Sequence, residues 1–114
     1  MKRGTIVLTR FPFTDLKAFK RRPAIIVSRE RKTSADFIVA FITSVIPAPL
    51  SDTDLLFDRH RNDFVKSGLI RDSVIKLDKL ATLNKAIFSG ELGSVSAKTL
   101  REIDMRLKIA LNLK

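Results

Sequence analysis

The run Ala24-Ile25-Ile26-Val27 constrains this chain most, because it is unbroken, apolar and mostly β-branched. Such a run is too short for a typical helix, so it predicts a strand covered on both faces. Pro23 stands directly before it. A proline cannot donate to a strand ladder and is tolerated at a first position, so the strand is expected to begin there and to leave Arg22 at the loop-to-strand junction, above a rigid base.

Other segments supply neighbours for that strand. Thr5-Ile6-Val7-Leu8-Thr9 predicts a first strand and Phe37 to Ser44 a third. Between the first two, Phe11-Pro12-Phe13-Thr14-Asp15 turns the chain into a loop that reaches Arg22, with Phe19 midway, seated either on the core or under an unpaired base. Pro47 and Pro49 forbid regular pairing, and Asp54-Leu55-Leu56-Phe57 predicts a short strand. Leu69 to Asp78 reads as extended, Leu80 to Thr82 as a short strand followed by a connector, and Glu91-Leu92-Gly93-Ser94 as a turn. Ser96 is a suitable N-cap for a helix running to about Leu111, in which Leu100, Ile103, Leu107 and Leu111 form one apolar stripe. Glu102 with Arg106 and Asp104 with Lys108 are spaced i,i+4 with the acid first, the favourable orientation. Five or six strands with one C-terminal helix predict a mainly β fold, a small and strongly bent barrel of antiparallel strands.

The 114 residues suit a single domain spanning 1–114, with leftover apolar surface favouring a dimer. A count of 22 Lys plus Arg against 12 Asp plus Glu gives a net charge of +10, which points to a polyanionic partner such as nucleic acid. Between Lys17 and Lys32 seven basic residues face a single acid, Glu30. The chain has no cysteine, which excludes disulfides and thiolate chemistry and fits a reducing cytoplasm. No signal peptide and no apolar stretch of roughly 20 residues is present, so no membrane span is expected. His60, in the polar loop Asp58 to Asp63, is the only histidine and is expected at the surface.

Several side chains have the right chemistry for a site. Thr43 and Ser44 present hydroxyls where the third strand ends, and Lys17, Lys20 and Arg21 add positive charge near Arg22. Lys76 and Asp78 lie two apart, so in a strand they share a face.

Gly4 to Leu8, Phe11 to Asp15, Lys20-Arg21-Arg22-Pro23-Ala24, Ile42-Thr43-Ser44, Gly68 to Val74 and the terminal helix resemble, in order, the MazF/PemK family over nearly the whole chain. The resemblance implies an SH3-like barrel, a homodimer, and a toxin of a type II toxin-antitoxin system that cuts single-stranded RNA with no metal or other cofactor. It places the family's catalytic arginine on Arg22 and its active-site threonine on Thr43, with a basic residue and an acid on Lys76 and Asp78. Lys17, Phe19, Lys20, Arg21 and Ser44 would then contact RNA, with Phe19 and the Asp58 to Asp63 loop setting base preference. An acidic antitoxin would cover the basic cleft. Two departures stand out: Thr5 replaces the acid that members often carry, and Leu16-Lys17-Ala18-Phe19-Lys20 replaces a loop with histidine or serine followed by glutamate. A non-catalytic inhibitor of DNA gyrase, like the similar CcdB toxins, and an inactive nucleic-acid-binding barrel are the competing expectations.

Overall fold

A computed structural model describes residues 1–10 and 21–114. Its elements in chain order are strands β1 (Thr5–Arg10), β2 (Arg21–Ile26), β3 (Asp36–Thr43) and β4 (Asp54–Phe57), the one-turn helix α1 (Phe64–Ser67), strands β5 (Ser73–Asn84) and β6 (Phe88–Ser94), and helix α2 (Ala97–Ala110). The expectations for Phe11 to Lys20, including Lys17, Phe19 and Lys20, lie outside the described residues.

All strand pairs are antiparallel, in the order β4-β5-β3-β2-β1-β6. Because β4 and β6 are the two ends of that order, the sheet is open rather than a closed barrel; the expected class, mainly β with a C-terminal helix, holds. Ala24, Ile25 and Ile26 are fully buried at its centre, as an alternation-free run requires. One face carries Ile6, Ile25, Ala40, Ile42, Ile75 and Leu77 and packs under Leu100, Ile103 and Leu107 of α2. The other carries Val7, Ala24, Ile26, Val39 and Phe41, closed by Phe37 and Leu83.

β2 begins at Arg21, so Pro23 lies inside the strand opposite Leu8 rather than at its start, and Arg22 faces Thr9. The hydrogen-bond alternation explains how a proline fits. Val27 donates its N–H toward β3, to the Ile38 carbonyl, and positions two apart point the same way, so position 23 also faces β3. Pairing with β3 starts only at Ala24, so no ladder bond is lost at Pro23.

Of the segments read as Leu69 to Asp78 and Leu80 to Thr82, Leu69 to Asp72 is a loop and the part from Ser73 onward forms one long strand, β5. Its register against β3 jumps from Ala40↔Leu80 to Phe41↔Lys76, leaving Leu77 to Lys79 as a bulge that bends the sheet. The predicted turn at Glu91 to Ser94 is strand: β6 pairs with β1 through two register irregularities. Its glycines signalled a turn, yet Gly93 is needed because a Cβ there would lie 2.1 Å from the Lys66 carbonyl oxygen.

Helix α2 starts at the expected Ser96 cap, whose hydroxyl accepts the Thr99 N–H at 3.2 Å. Leu111 is the exposed C-cap rather than part of the buried stripe. The helix acids make tertiary ion pairs instead of the expected i,i+4 ones: Glu102 with Arg61 and Asp104 with Arg3. Arg106 donates instead to the backbone oxygens of Asp54 and Glu102. These pairings draw the helix onto the loop before α1 and onto the N-terminus.

Asp63 ties that loop to α2. Its buried carboxylate accepts the Ser96 N–H at 2.8 Å and the Thr99 hydroxyl at 2.7 Å. Burial pushes its pKa up, but the bonds from Ser96 and Thr99 outweigh that and leave it below the ordinary carboxylate value. A depressed folded-state pKa stabilises fully above the unfolded value, near 4, and that stability is lost as pH falls through the folded value. Thermal melts should therefore show Asp63→Asn less stable by about 2 kcal/mol at pH 7, with the gap to wild type closing as the solution is acidified below pH 4.

Candidate functional site

Three antiparallel strands and one loop converge at the end of the sheet where β2 begins and β3 ends. The pair Ala24↔Phe41, carried two residues along each strand, sets Arg22 level with Thr43 and on the same face. Val74 of β5 lies opposite Thr43, which brings the segment before β5 to the same place. A cavity of about 590 Å³ opens there, lined by Arg21, Arg22 and Pro23 of β2, by Ile42 to Val45 at the end of β3, and by Leu69, Ile70, Arg71 and Ser73 around the start of β5. Its volume falls within the roughly 300 to 1,000 Å³ usual for ligand sites. The described lining residues include three arginines and no carboxylate or imidazole, so the cavity is built for an anion.

Local hydrogen bonding fixes the hydroxyls. Thr43 Oγ1 accepts the Val45 N–H at 3.1 Å, which leaves the Thr43 proton available to donate into the cavity. Ser73 donates to the Arg71 carbonyl at 2.8 Å and so braces the loop before β5. Asp72 holds the same loop from behind: Arg59 donates to it from its backbone N–H at 3.0 Å and from its guanidinium at 3.3 and 3.2 Å. Those Arg59 bonds keep the Asp72 carboxyl below its ordinary pKa.

Of the nominated residues, Arg21, Arg22, Thr43 and Ser44 meet at this cavity, whereas Lys76 and Asp78 are not among its lining residues. Lys76 shares the face of Thr43 but lies two pairs deeper, where its ammonium reaches Asp54 Oδ1 at 2.8 Å. The Asp54 side chain is only 2% exposed. Burial pushes its carboxyl up, and bonds from Lys76 and the Ser51 N–H bring the pKa below the ordinary value. Asp78 is exposed within the β5 bulge. Removing one partner of a buried pair strands the other charge, so urea denaturation of Lys76→Ala should show a loss of about 3 kcal/mol. An unchanged midpoint would show that the ammonium is not needed to hold Asp54.

Arg71 and Ser73 also line the cavity, residues to which the sequence reading assigns no role. The available signal was an arginine just before a strand, the same context that drew attention to Arg22. His60 is exposed, as expected, and its N–H donates to Asp58. Its loop lines a separate cavity with Ser96, Lys98 and Thr99 rather than approaching Arg22. Among the described residues no helix is long and apolar enough to cross a membrane.

Comparison with known proteins gives a consistent picture. The family described as PemK-like, MazF-like toxin of type II toxin-antitoxin system matches residues 2–111. Endoribonuclease MazF6 of Mycobacterium tuberculosis is 29% identical over 97 residues, covering 82% of this chain and 81% of that protein. Endoribonuclease MazF2 of Mycobacterium bovis matches to the same extent. Among solved structures, a mycobacterial endoribonuclease in complex with its cognate antitoxin superposes with a TM-score of 0.79 at 21% identity, over 100% of this chain and 97% of that one. MazF from Deinococcus radiodurans superposes at 0.73 and 19% identity, over 99% and 97%. At such identities the superpositions speak for the fold.

Proposed function

Because the chain belongs to the PemK-like, MazF-like family of toxins of type II toxin-antitoxin systems, we propose that it cleaves single-stranded RNA in the cavity between Arg22 and Thr43. A ribose 2′-oxygen attacks the adjacent phosphorus and its proton leaves to a base. The bond from phosphorus to the 5′ oxygen breaks, and that oxygen takes up a proton. The products are a 2′,3′-cyclic phosphate and a 5′-hydroxyl, and DNA, lacking the 2′-OH, is spared. The chemistry needs donors where the five-coordinate phosphorane gathers negative charge. The Arg22 guanidinium supplies a planar fork matched to two phosphate oxygens, and the Thr43 hydroxyl supplies a third donor already aimed by Val45. No metal ion or other cofactor is invoked: the guanidinium groups carry the charge stabilisation.

The carrying observation is that the strand register brings Arg22 and Thr43 to one level of one face, around a shared cavity. The relatives' names, endoribonuclease, support the reaction class. The toxin acts in the cytoplasm as a homodimer and is silenced by a cognate antitoxin whose acidic segment covers this basic cavity, in keeping with the antitoxin complex of the mycobacterial neighbour.

The test is a mixed-sequence transcript incubated with purified protein and a chelator, with the new 5′ ends mapped. Discrete cuts at recurring sites are expected. A gyrase inhibitor or a passive RNA-binding barrel would leave the transcript whole. Thr43→Val keeps the strand and removes the donor, and should slow cleavage about 10²-fold with an unchanged melting temperature.

A further inference from the structure

Part of the cavity lining is built from residues that no catalytic role accounts for. Ile70 is 89% exposed and Val45 75% exposed, although both are large and apolar and both border a cavity rich in guanidinium groups. Arg71 lies between Ile70 and the braced Ser73, is exposed, and its guanidinium makes no hydrogen bond or ion pair with any described residue. Its neighbours are held in place: Asp72 by Arg59, Ser73 by the Arg71 carbonyl, and Leu69 by its own N–H on Ser67 Oγ at 3.1 Å. A rigid loop thus presents an apolar side chain and an uncommitted cation side by side at the mouth of an anion site. Nucleotides present the matching pair of surfaces, a base with a large apolar face and a phosphate.

We propose that the Leu69 to Arg71 loop seats the nucleotide beside the scissile phosphodiester, Ile70 and Val45 giving its base an apolar surface and Arg71 contacting its phosphate. This deepens the nuclease function above and rests on the same cavity. It moves base preference from the Asp58 to Asp63 loop, which borders a separate cavity, to the loop that leads into β5. Arg71, which makes no ion pair with a described acid, adds to the positive charge of Arg21 and Arg22 in the lining and favours a polyanion over a mixed-charge protein surface.

The test uses a fluorescent single-stranded oligoribonucleotide with 2′-O-methyl groups throughout, which cannot be cut, titrated by anisotropy over a range of salt. Arg71→Gln should bind about tenfold more weakly, and its slope of log affinity against log salt should be smaller by about 0.7. Arg101→Gln, which removes an exposed arginine of α2 that does not line the cavity, should bind as wild type does. Ile70→Ser should shift the distribution of cuts mapped in the mixed transcript. Equal losses in the two arginine variants, or none in either, would overturn the proposal in favour of diffuse charge. Wild-type oligonucleotide affinity together with weakened binding of polyglutamate would overturn it in favour of a protein-docking wall. If Arg71 governs binding while wild type cuts nothing, the nucleotide seat stands and the nuclease function falls.

Discussion

Arg22→Ala should lower RNA cleavage by about 10³-fold or more while the melting temperature and circular dichroism spectrum stay near wild type. A positioned arginine that meets charge developing on a transferred phosphoryl group is worth about 10³ to 10⁵ in rate, more than any other single group proposed for the site. Arg22 is only partly buried, near the entry of β2, while the fully buried residues of that strand are Ala24, Ile25 and Ile26. Truncating it removes charge without opening the core. Arg22→Lys keeps the charge but loses the planar fork, so it should recover only a small part of the rate. Full activity in Arg22→Ala would remove the guanidinium from the mechanism.

Gly68→Ala and Gly93→Ala should each cost more than about 4 kcal/mol, enough to lower the melting temperature by about 15 °C or to prevent folding. The two glycines face each other across one backbone crossing. A Cβ on Gly68 would lie 2.1 Å from the Leu92 carbonyl oxygen, and one on Gly93 would lie 2.1 Å from the Lys66 carbonyl oxygen. Both obstacles are backbone and cannot rotate aside. Gly68 has in addition φ of +77°, a left-handed conformation that alanine enters only with strain. The crossing seats α1 on β6 and launches the Leu69 to Arg71 loop, so that part of the cavity lining depends on it. A Cβ on Gly90 would meet nothing within 4 Å, so Gly90→Ala serves as the control and should melt within a few degrees of wild type. Similar melting for all three variants would show that the crossing is looser than its geometry implies.

Much of this architecture was legible in local pattern. β-branched runs gave β1, β2 and β3 because their burial on two faces leaves no choice but the sheet interior, and β4 was read to the residue. The Ser96 cap and the Leu100, Ile103 and Leu107 stripe fixed α2. Arg22 and Thr43 could be nominated from the resemblance of their flanking residues to a known family, and the register supplies the physical reason that they meet. What escaped was set by contacts between distant segments. β6 is mostly exposed and contains two glycines, so neither alternation nor propensity marked it; only its pairing with β1 makes it a strand. Pro23 reads as a strand start unless the direction of its missing N–H is known. Lys76 and Asp78 look like a pair two residues apart, but Lys76 takes its partner 22 positions away, on β4. Helix acids spaced for i,i+4 bridges instead reach Arg3 and Arg61, because those pairs also dock the helix. Arg71 carries no local sequence signal of a role beyond its place just before a strand, because the cavity it lines exists only in the folded chain.

The central claim is that this cavity drives a ribose 2′-oxygen onto the neighbouring phosphorus. The most direct measurement compares two oligonucleotides carrying a mapped cleavage site, identical except that one has a single deoxyribose on the 5′ side of the cut. The all-ribose strand should be cut to a 2′,3′-cyclic phosphate and a 5′-hydroxyl, and the strand lacking that one oxygen should remain whole at the site. Equal cutting of both strands, or a 5′-phosphate on the released fragment, would contradict it.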